Sequence, residues 1–399
     1  MPERVIGPVG SSGQDMSGQG HQIFVDELAR FAAGAADVRV TAIVERAAAP
    51  LRVVVRGRRG VGRRTVACAL ERAGIASGIT VTRRERAADP EADVIVYVTT
   101  EVVKPEDIDA VVAARRPVLA VLNKADLAGS LSGRAGDGPI AAAQARCAHL
   151  SALAGVPMEP MIGVLAVAAL DDLDQPRVLD HDVWAALRAL AAHPGGSAHL
   201  DAHLDALWQP DDPDNPVPSQ VRRRLLDSLD LFGTAVAVAA VRRGATTAQV
   251  RALLRRVSCV DGVVDKVCAM GAEARYRRVL EAVAELEALA VADKGIGEQI
   301  MGFLSCDDTV VARMAAAVDL AEAAGLQGGP AYLDCDDPAA LLPRAARWQR
   351  YSRASVSDLH RACGADIARG SLRLWAQTCG SLSGEAGVEV PGESLRESR

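Results

Sequence analysis

Apolar positions recur along the chain at spacings that change from one stretch to the next. Within residues 21–49, IFVDELARFAAGAADVRVTAIVERAAA carries them every third or fourth place, which predicts two short helices. LRVVVRG follows, an apolar and β-branched run from Leu51 to Val55 that stops at glycine and predicts a buried strand. Helical spacing returns over residues 63–73. Strand-like runs then alternate with helical ones. Residues 79–83 and, more strongly, DVIVYV at 93–98 read as strands, 104–115 as a helix and 118–122 as a buried strand. A Gly/Ser/Asp loop at 129–138, a helix over 140–153 and a last apolar strand at 161–167 complete the series. Such alternation predicts an α/β fold, with a parallel sheet of about five strands covered on both faces.

Past residue 180 the texture changes. Residues 181–207 read as an amphipathic helix, and WQPDDPDNPVPS, with prolines at 210, 213, 216 and 218, can be neither helix nor central strand. Beyond it come helices only. VRRRLLDSLDLFGTAVAVAAVRRG closes on Gly244 as a C-terminal cap, and TTAQVRALLRRV opens on Thr246 or Thr247 as an N-cap. A long helix is expected over 273–293. The expected organisation is a tail at 1–20, N-terminal helices at 21–50 and the sheet domain at 51–207. A linker at 208–219, a mostly α-helical domain at 220–379 and a second tail at 380–399 follow.

Composition narrows the classes. The 399 residues are 49% hydrophobic but only 3% aromatic, so Ala, Val and Leu must build the interior. Lys104, Lys124, Lys266 and Lys294 stand alone among many arginines, which with the Ala/Gly/Val bias points to a GC-rich, actinobacterial source. A net charge of −6 argues against a general nucleic-acid binder. The cysteines (Cys68, Cys147, Cys259, Cys268, Cys306, Cys335, Cys363 and Cys379) form no CxxC pair and fit a reduced, cytoplasmic protein. No secretory signal opens the chain, and the apolar stretch at 232–241 is about half of the ~20 residues needed to span a bilayer.

Two constellations carry chemistry. The turn after the first strand reads Gly57-Arg58-Arg59-Gly60-Val61-Gly62-Arg63-Arg64-Thr65. Against GxxxxGK[ST], Gly57 and Gly62 fall in place. Gly60 adds a third flexible point, and the loop amides with the helix N-terminus make an anion site. Arg63 stands where a lysine should reach the phosphates, and Arg64 where Ser/Thr should hold Mg²⁺, with Thr65 adjacent. Alone, the loop is a weak signal, because a Gly/Arg-rich turn can be only a turn. The second constellation is Asn123-Lys124-Ala125-Asp126 at the end of VLAVL, the NKxD pattern. Its aspartate accepts two hydrogen bonds from guanine N–H groups that adenine cannot supply. The lysine stem packs along the base, and the asparagine ties the two loops together.

These residues resemble the GTPase side of the P-loop class, of the Ras-like and Era-like kind, over about residues 51–195. The helical half resembles actinobacterial proteins identified as dynamin-like or plain GTPases. The resemblance implies GTP or GDP as ligand and a base contact from a backbone amide near Val167, Ala168, Ala169 and Leu170. It also implies a switch threonine and a DxxG that bind Mg²⁺ and sense the γ-phosphate. The span between Thr65 and Ala125 holds no DxxG; Asp89-Pro90-Glu91-Ala92 is the nearest remnant. The expected protein is thus a degenerate guanine-nucleotide binder with weak or absent hydrolysis and no catalytic residues to name, in which Mg²⁺ is doubtful. Its helical half would bind a protein partner, either a GTPase paralogue or a second copy. A nucleotide-free scaffold and a dynamin-like membrane-associated GTPase remain as alternatives. Arg222-Arg223-Arg224 and Arg255-Arg256 would give the latter a peripheral lipid contact, or else form solvated helix faces. His199 and His203, at i,i+4, have no third ligand, and Trp348 and Trp375 read as core or interface anchors.

Overall fold

The computed structural model describes residues 19–82, 92–129, 138–171, 178–192, 217–326 and 338–384. The remnant at 89–91, the loop at 130–137, most of the proline linker, His193, His199, His203, Cys335 and both outermost tails lie outside the described residues. The chain forms two compact units, residues 50–271 and residues 1–49 with 272–399. The expected break at the proline linker is therefore displaced. Two helices beyond it belong with the sheet, and the N-terminal helices belong with the C-terminal ones.

In the 50–271 unit, β1 (Leu51–Gly57), β2 (Ile79–Thr82), β3 (Val94–Thr99), β4 (Val118–Asn123) and β5 (Met158–Met161) form one sheet in the order β2-β1-β3-β4-β5. All four pairings are parallel. Every residue of β3 and β4 is buried, as strands covered on both faces must be. The crossover helices, numbered with the two N-terminal helices counted first, are α3 (Arg63–Gly74), α4 (Pro105–Val112) and α5 (Gly138–Ala154). The chain moves outward from β1 to β2, then returns to β3 on the other side. The order of the sheet therefore reverses between β1 and β3, and ligands of open α/β sheets bind beyond the strand carboxyl ends at such a point.

One strand was misplaced by the sequence pattern. The expected strand at 161–167 is instead β5 followed at once by a helix, α6 (Gly163–Ala169). GVLAVAA is apolar throughout, and periodicity cannot tell a short buried helix from a buried strand. After α6 come α7 (His181–Ala192), α8 (Ser219–Arg242) and α9 (Thr247–Ser258). Leu165, Leu187, Leu229 and Val250 share one apolar cluster, which binds these helices to the sheet unit. Thr246 caps α9 as expected, accepting from the Gln249 amide at 3.3 Å while Gln249 Oε1 accepts from the Thr246 amide at 2.9 Å. The long helix α10 (Val260–Ala292) begins earlier than expected and runs across the boundary between the units.

Among the described residues the elements of the other unit are all helices: α1 (Gln19–Ala35), α2 (Val38–Ala47), the later turns of α10, α11 (Lys294–Ser305), α12 (Asp307–Ala323), α13 (Pro338–Ala354) and α14 (Asp358–Gly384). Two corrections concern the tails, since helix occupies residues 19–20 and 380–384. α12 is buried at Thr309, Val310 and Ala312 and from Met314 to Ala321 and is rich in alanine, so its neighbours approach closely. A Cβ at Gly20 of α1 would lie 2.2 Å from the Ala315 carbonyl oxygen. Trp348 is buried as a core anchor, whereas Trp375 is half-buried.

Between α1 and α12 sits an opposed pair. The His21 amide donates to Asp319 Oδ2 at 3.1 Å, and the His21 ring lies 3.1 Å from the Ala47 carbonyl. Burial first, then the Arg275 and Arg278 charges, lower the His21 pKa from 6.5 to about 4. Burial raises Asp319 from 3.8 to about 6, against the pull of its hydrogen bond and Arg275, with Glu322 adding to the rise. His21 therefore contributes stability above pH 6.5 that is lost as pH falls toward 4. Asp319 contributes stability below pH 3.8 that is lost as pH rises toward 6. Each amounts to about 3 kcal/mol, and between pH 6 and 4 they offset one another. Asp319→Asn, which keeps an acceptor for the His21 amide, is expected to expose the His21 loss. Its urea stability should fall by about 3 kcal/mol more than wild type between pH 6.5 and 4. Equal slopes for the two proteins would refute the assignment.

Candidate functional site

At the carboxyl edge of the sheet the turn 57–65 curls tightly. Gly57 has φ +144, and a Cβ there would sit 2.3 Å from the Val98 carbonyl oxygen on β3, so no other residue fits. Gly60 and Gly62 also have positive φ, at +88 and +84, and Gly62 is the left-handed N-cap of α3 with no side chain capping the helix. The first amides of α3 thus face the space beyond β1, the polarity that attracts an anion.

The arginines of this turn part company. Arg58 Nε donates to Asp107 Oδ1 at 2.8 Å, reaching from the turn after β1 to the first turn of α4. Asp107 is 2% exposed. It also accepts from the Tyr97 hydroxyl at 2.8 Å and, through Oδ2, from the Lys104 amide at 2.9 Å. Burial and the bond to Asp107 push the Tyr97 hydroxyl well above its ordinary pKa. The pair spans the point where the strand order reverses. This network was not foreseen, and its only sequence trace is an aspartate three residues into a helix opened by Pro105. Arg63 is half-buried and Arg64 exposed. The Thr65 methyl lies 3.4 Å from where a Cβ of Gly163 would be, so this side chain turns toward β5 and α6.

The 123–126 segment ties the edge together. Asn123 is buried at the end of β4. Its Nδ2 donates to the Val61 carbonyl at 2.9 Å, and its Oδ1 accepts from the Gly163 amide at 3.0 Å. One side chain thus joins the 57–65 turn to the β5–α6 junction. Gly62 makes room for it, since a Cβ there would come 2.3 Å from Nδ2. Lys124 follows at φ +57, a left-handed conformation that lysine rarely adopts, and its side chain is exposed. The chain then turns into a short 3₁₀ segment, Ala125–Ala128, with Ala125 and Asp126 buried. Burial raises the Asp126 pKa, Asp230 on α8 pushes it the same way, and Lys124 opposes them. A carboxylate so placed gains from any N–H donors brought to it.

Ala168 does not belong to this group. It is buried within α6, in the apolar cluster with Leu187 and Leu229, and not at a strand end. The backbone amide at the edge is that of Gly163, five residues earlier. The shift follows from the strand misplaced in the sequence pattern.

The residues present fit one expected ligand and not the other. A guanine nucleotide would find a glycine turn with helix amides for its phosphates and a buried carboxylate for its base, joined through Asn123. Magnesium would find Arg64 where a hydroxyl should be, and a guanidinium has no lone pair to donate. The arginine clusters are also divided. Arg222 is buried, Arg224 pairs with Asp180 and Arg255 pairs with Asp261. They do not form one basic face. Among the described residues no helix is long and apolar enough to cross a membrane. The described cysteines Cys68, Cys147, Cys259, Cys268, Cys306 and Cys363 are free thiols. Comparison with protein-family models, curated proteins and solved structures found no match.

Proposed function

We propose that the 50–271 unit is a P-loop GTPase-like domain that binds a guanine nucleotide and hydrolyses it weakly or not at all. The observation that carries this reading is the pair of hydrogen bonds of Asn123, which couples the 57–65 turn to the β5–α6 junction three residues ahead of a buried Asp126. An incidental strand-end turn has no need of that coupling. Asp126 reads the base through its two N–H donors, the Lys124 stem covers the ring, and Gly57, Gly60, Gly62 and the α3 amides with Arg63 and Arg64 receive the phosphates. The sequence between Thr65 and Ala125 holds no DxxG, which supports slow hydrolysis. The helical unit, in a protein with free thiols, would serve a partner in the cytoplasm.

Asp126→Ala tests the base assignment. In wild type, excess GDP should raise the melting temperature, by roughly 2.7 kcal/mol of stabilisation at a hundredfold excess over Kd. In the variant that shift should vanish while the ligand-free melting temperature stays close to wild type. A shift of equal size in both proteins, or an equal response to ADP, would remove Asp126 from the role.

A second reading, a scaffold that binds no nucleotide, draws on the guanidinium of Arg64 at the metal position. It predicts no GDP or GTP response in wild type at any concentration.

A further inference from the structure

The turn that would receive phosphate lacks the means by which such turns are usually completed, and it has something in their place. Where a hydroxyl would take a divalent cation, α3 presents Arg64, and the next residue, Thr65, packs its methyl toward Gly163. A cation at such a site ordinarily does two things. It neutralises phosphate charge, and it fixes the loop relative to the facing edge of the sheet. Here Arg58 of the loop reaches across the reversal point of the sheet to Asp107 at 2.8 Å, and Asp107 is held in turn by Tyr97 and the Lys104 amide. Arg58 Nη2 also lies 3.5 Å from the Val102 carbonyl, in the loop after β3. On the other side, Asn123 holds the Val61 carbonyl at 2.9 Å. The loop is therefore pinned at both ends by the chain's own side chains, and the charge beside it is arginine.

Resting on the guanine-nucleotide reading, we infer that this loop is held in its binding shape by the Arg58–Asp107 ion pair instead of by a divalent cation. Guanine nucleotide binding is then independent of Mg²⁺. Arg58 is a positioning residue in this scheme. Its guanidinium is committed to a buried carboxylate, and it acts by fixing where the loop amides point. Arg63 and Arg64, at the start of α3, supply the positive charge that the phosphates need, as guanidinium groups readily do.

The decisive measurement is isothermal titration of the full chain with GDP, once in excess MgCl₂ and once in excess EDTA. Dissociation constants within about twofold of each other are expected, a difference of ~0.4 kcal/mol. Tenfold or tighter binding with MgCl₂, or binding seen only with MgCl₂, overturns the inference and leaves the guanine reading standing. Binding in neither condition overturns both. Arg58→Ala and Arg58→Lys, titrated in EDTA well below their melting temperatures, separate positioning from mere stability. Alanine should weaken GDP at least tenfold, and lysine, which keeps a cation beside Asp107, should restore most of it. If alanine lowers only the melting temperature and leaves the dissociation constant unchanged, Arg58 is a structural residue and its assigned role falls. Should Arg58→Ala fail to fold, Tyr97→Phe removes one support of Asp107. It should weaken GDP several-fold in EDTA, and an unchanged constant counts against the pair.

Discussion

Asn123→Ala is expected to destabilise the 50–271 unit by about 2–5 kcal/mol and to weaken guanine nucleotide binding by at least an order of magnitude. The side chain makes two buried hydrogen bonds, from Nδ2 to the Val61 carbonyl at 2.9 Å and to Oδ1 from the Gly163 amide at 3.0 Å. Alanine supplies neither, and an unsatisfied buried group costs about 1–3 kcal/mol. On the proposed guanine-nucleotide reading, binding suffers for a second reason. With the coupling gone, the 57–65 turn and the 123–126 segment no longer hold a fixed separation, and binding must then order them itself. Asn123→Asp is a sharper probe than alanine. It is nearly isosteric and still accepts from Gly163, but it sets an oxygen against the Val61 carbonyl. At neutral pH it should be at least as damaging as alanine. Urea denaturation and GDP titration of both variants would check this. Two stable proteins with wild-type affinity would show that the coupling is incidental. Asp126→Ala, by contrast, should lose binding at little cost in stability.

Asp366→Ala should destabilise the helical unit by about 3–5 kcal/mol, the range for breaking a buried charge pair from one side. Asp366 of α14 is 3% exposed. Its Oδ2 accepts from the Tyr276 hydroxyl of α10 at 2.8 Å, and its Oδ1 from Arg313 of α12 at 2.8 Å and Arg369 at 3.2 Å. Tyr276 is fully buried, and burial together with Asp366 raises its pKa far above the ordinary value. Removing the carboxylate strands a hydroxyl and a largely buried guanidinium between three helices at once. Tyr276→Phe deletes one bond and one donor together and should cost only about 1 kcal/mol. Asp366→Asn should fall between the two, because it keeps the acceptor and loses the charge. Urea denaturation gives the magnitudes, and amide exchange along α12 and α14 locates the loss. A ranking in which phenylalanine costs more than alanine at 366 would contradict this account.

The alternation of strand and helix from Leu51 onward was legible because its cause is local. β3 and β4 are buried on both faces, as is β1 from Val53 to Val55, and so these stretches are apolar at nearly every position. The turns between elements carry the glycines that their dihedral angles demand. The special backbone at 57–65 and 123–126 was legible for a related reason. A backbone that must adopt left-handed angles or avoid a Cβ restricts residue choice at fixed spacing. GVLAVAA at 163–169 was not legible, because a short apolar run carries no period that separates helix from strand. The backbone amide at that edge is accordingly Gly163's and not Ala168's, and it donates to Asn123 Oδ1.

The sequence by itself therefore determined the α/β class, the helical remainder, the two edge motifs and the lack of a metal-binding hydroxyl at residue 64. Tertiary structure alone decided which elements share a core, since α8 and α9 join the sheet unit while α1 and α2 join the C-terminal helices. It alone also brought Arg58 to Asp107, Asn123 to Val61 and Gly163, and His21 to Asp319. Each of these pairs lies far apart along the chain. Such a contact leaves no spacing to read, because it depends on how strands order in the sheet and how helices stack on one another. Both are fixed by the burial of whole apolar faces and by no single residue.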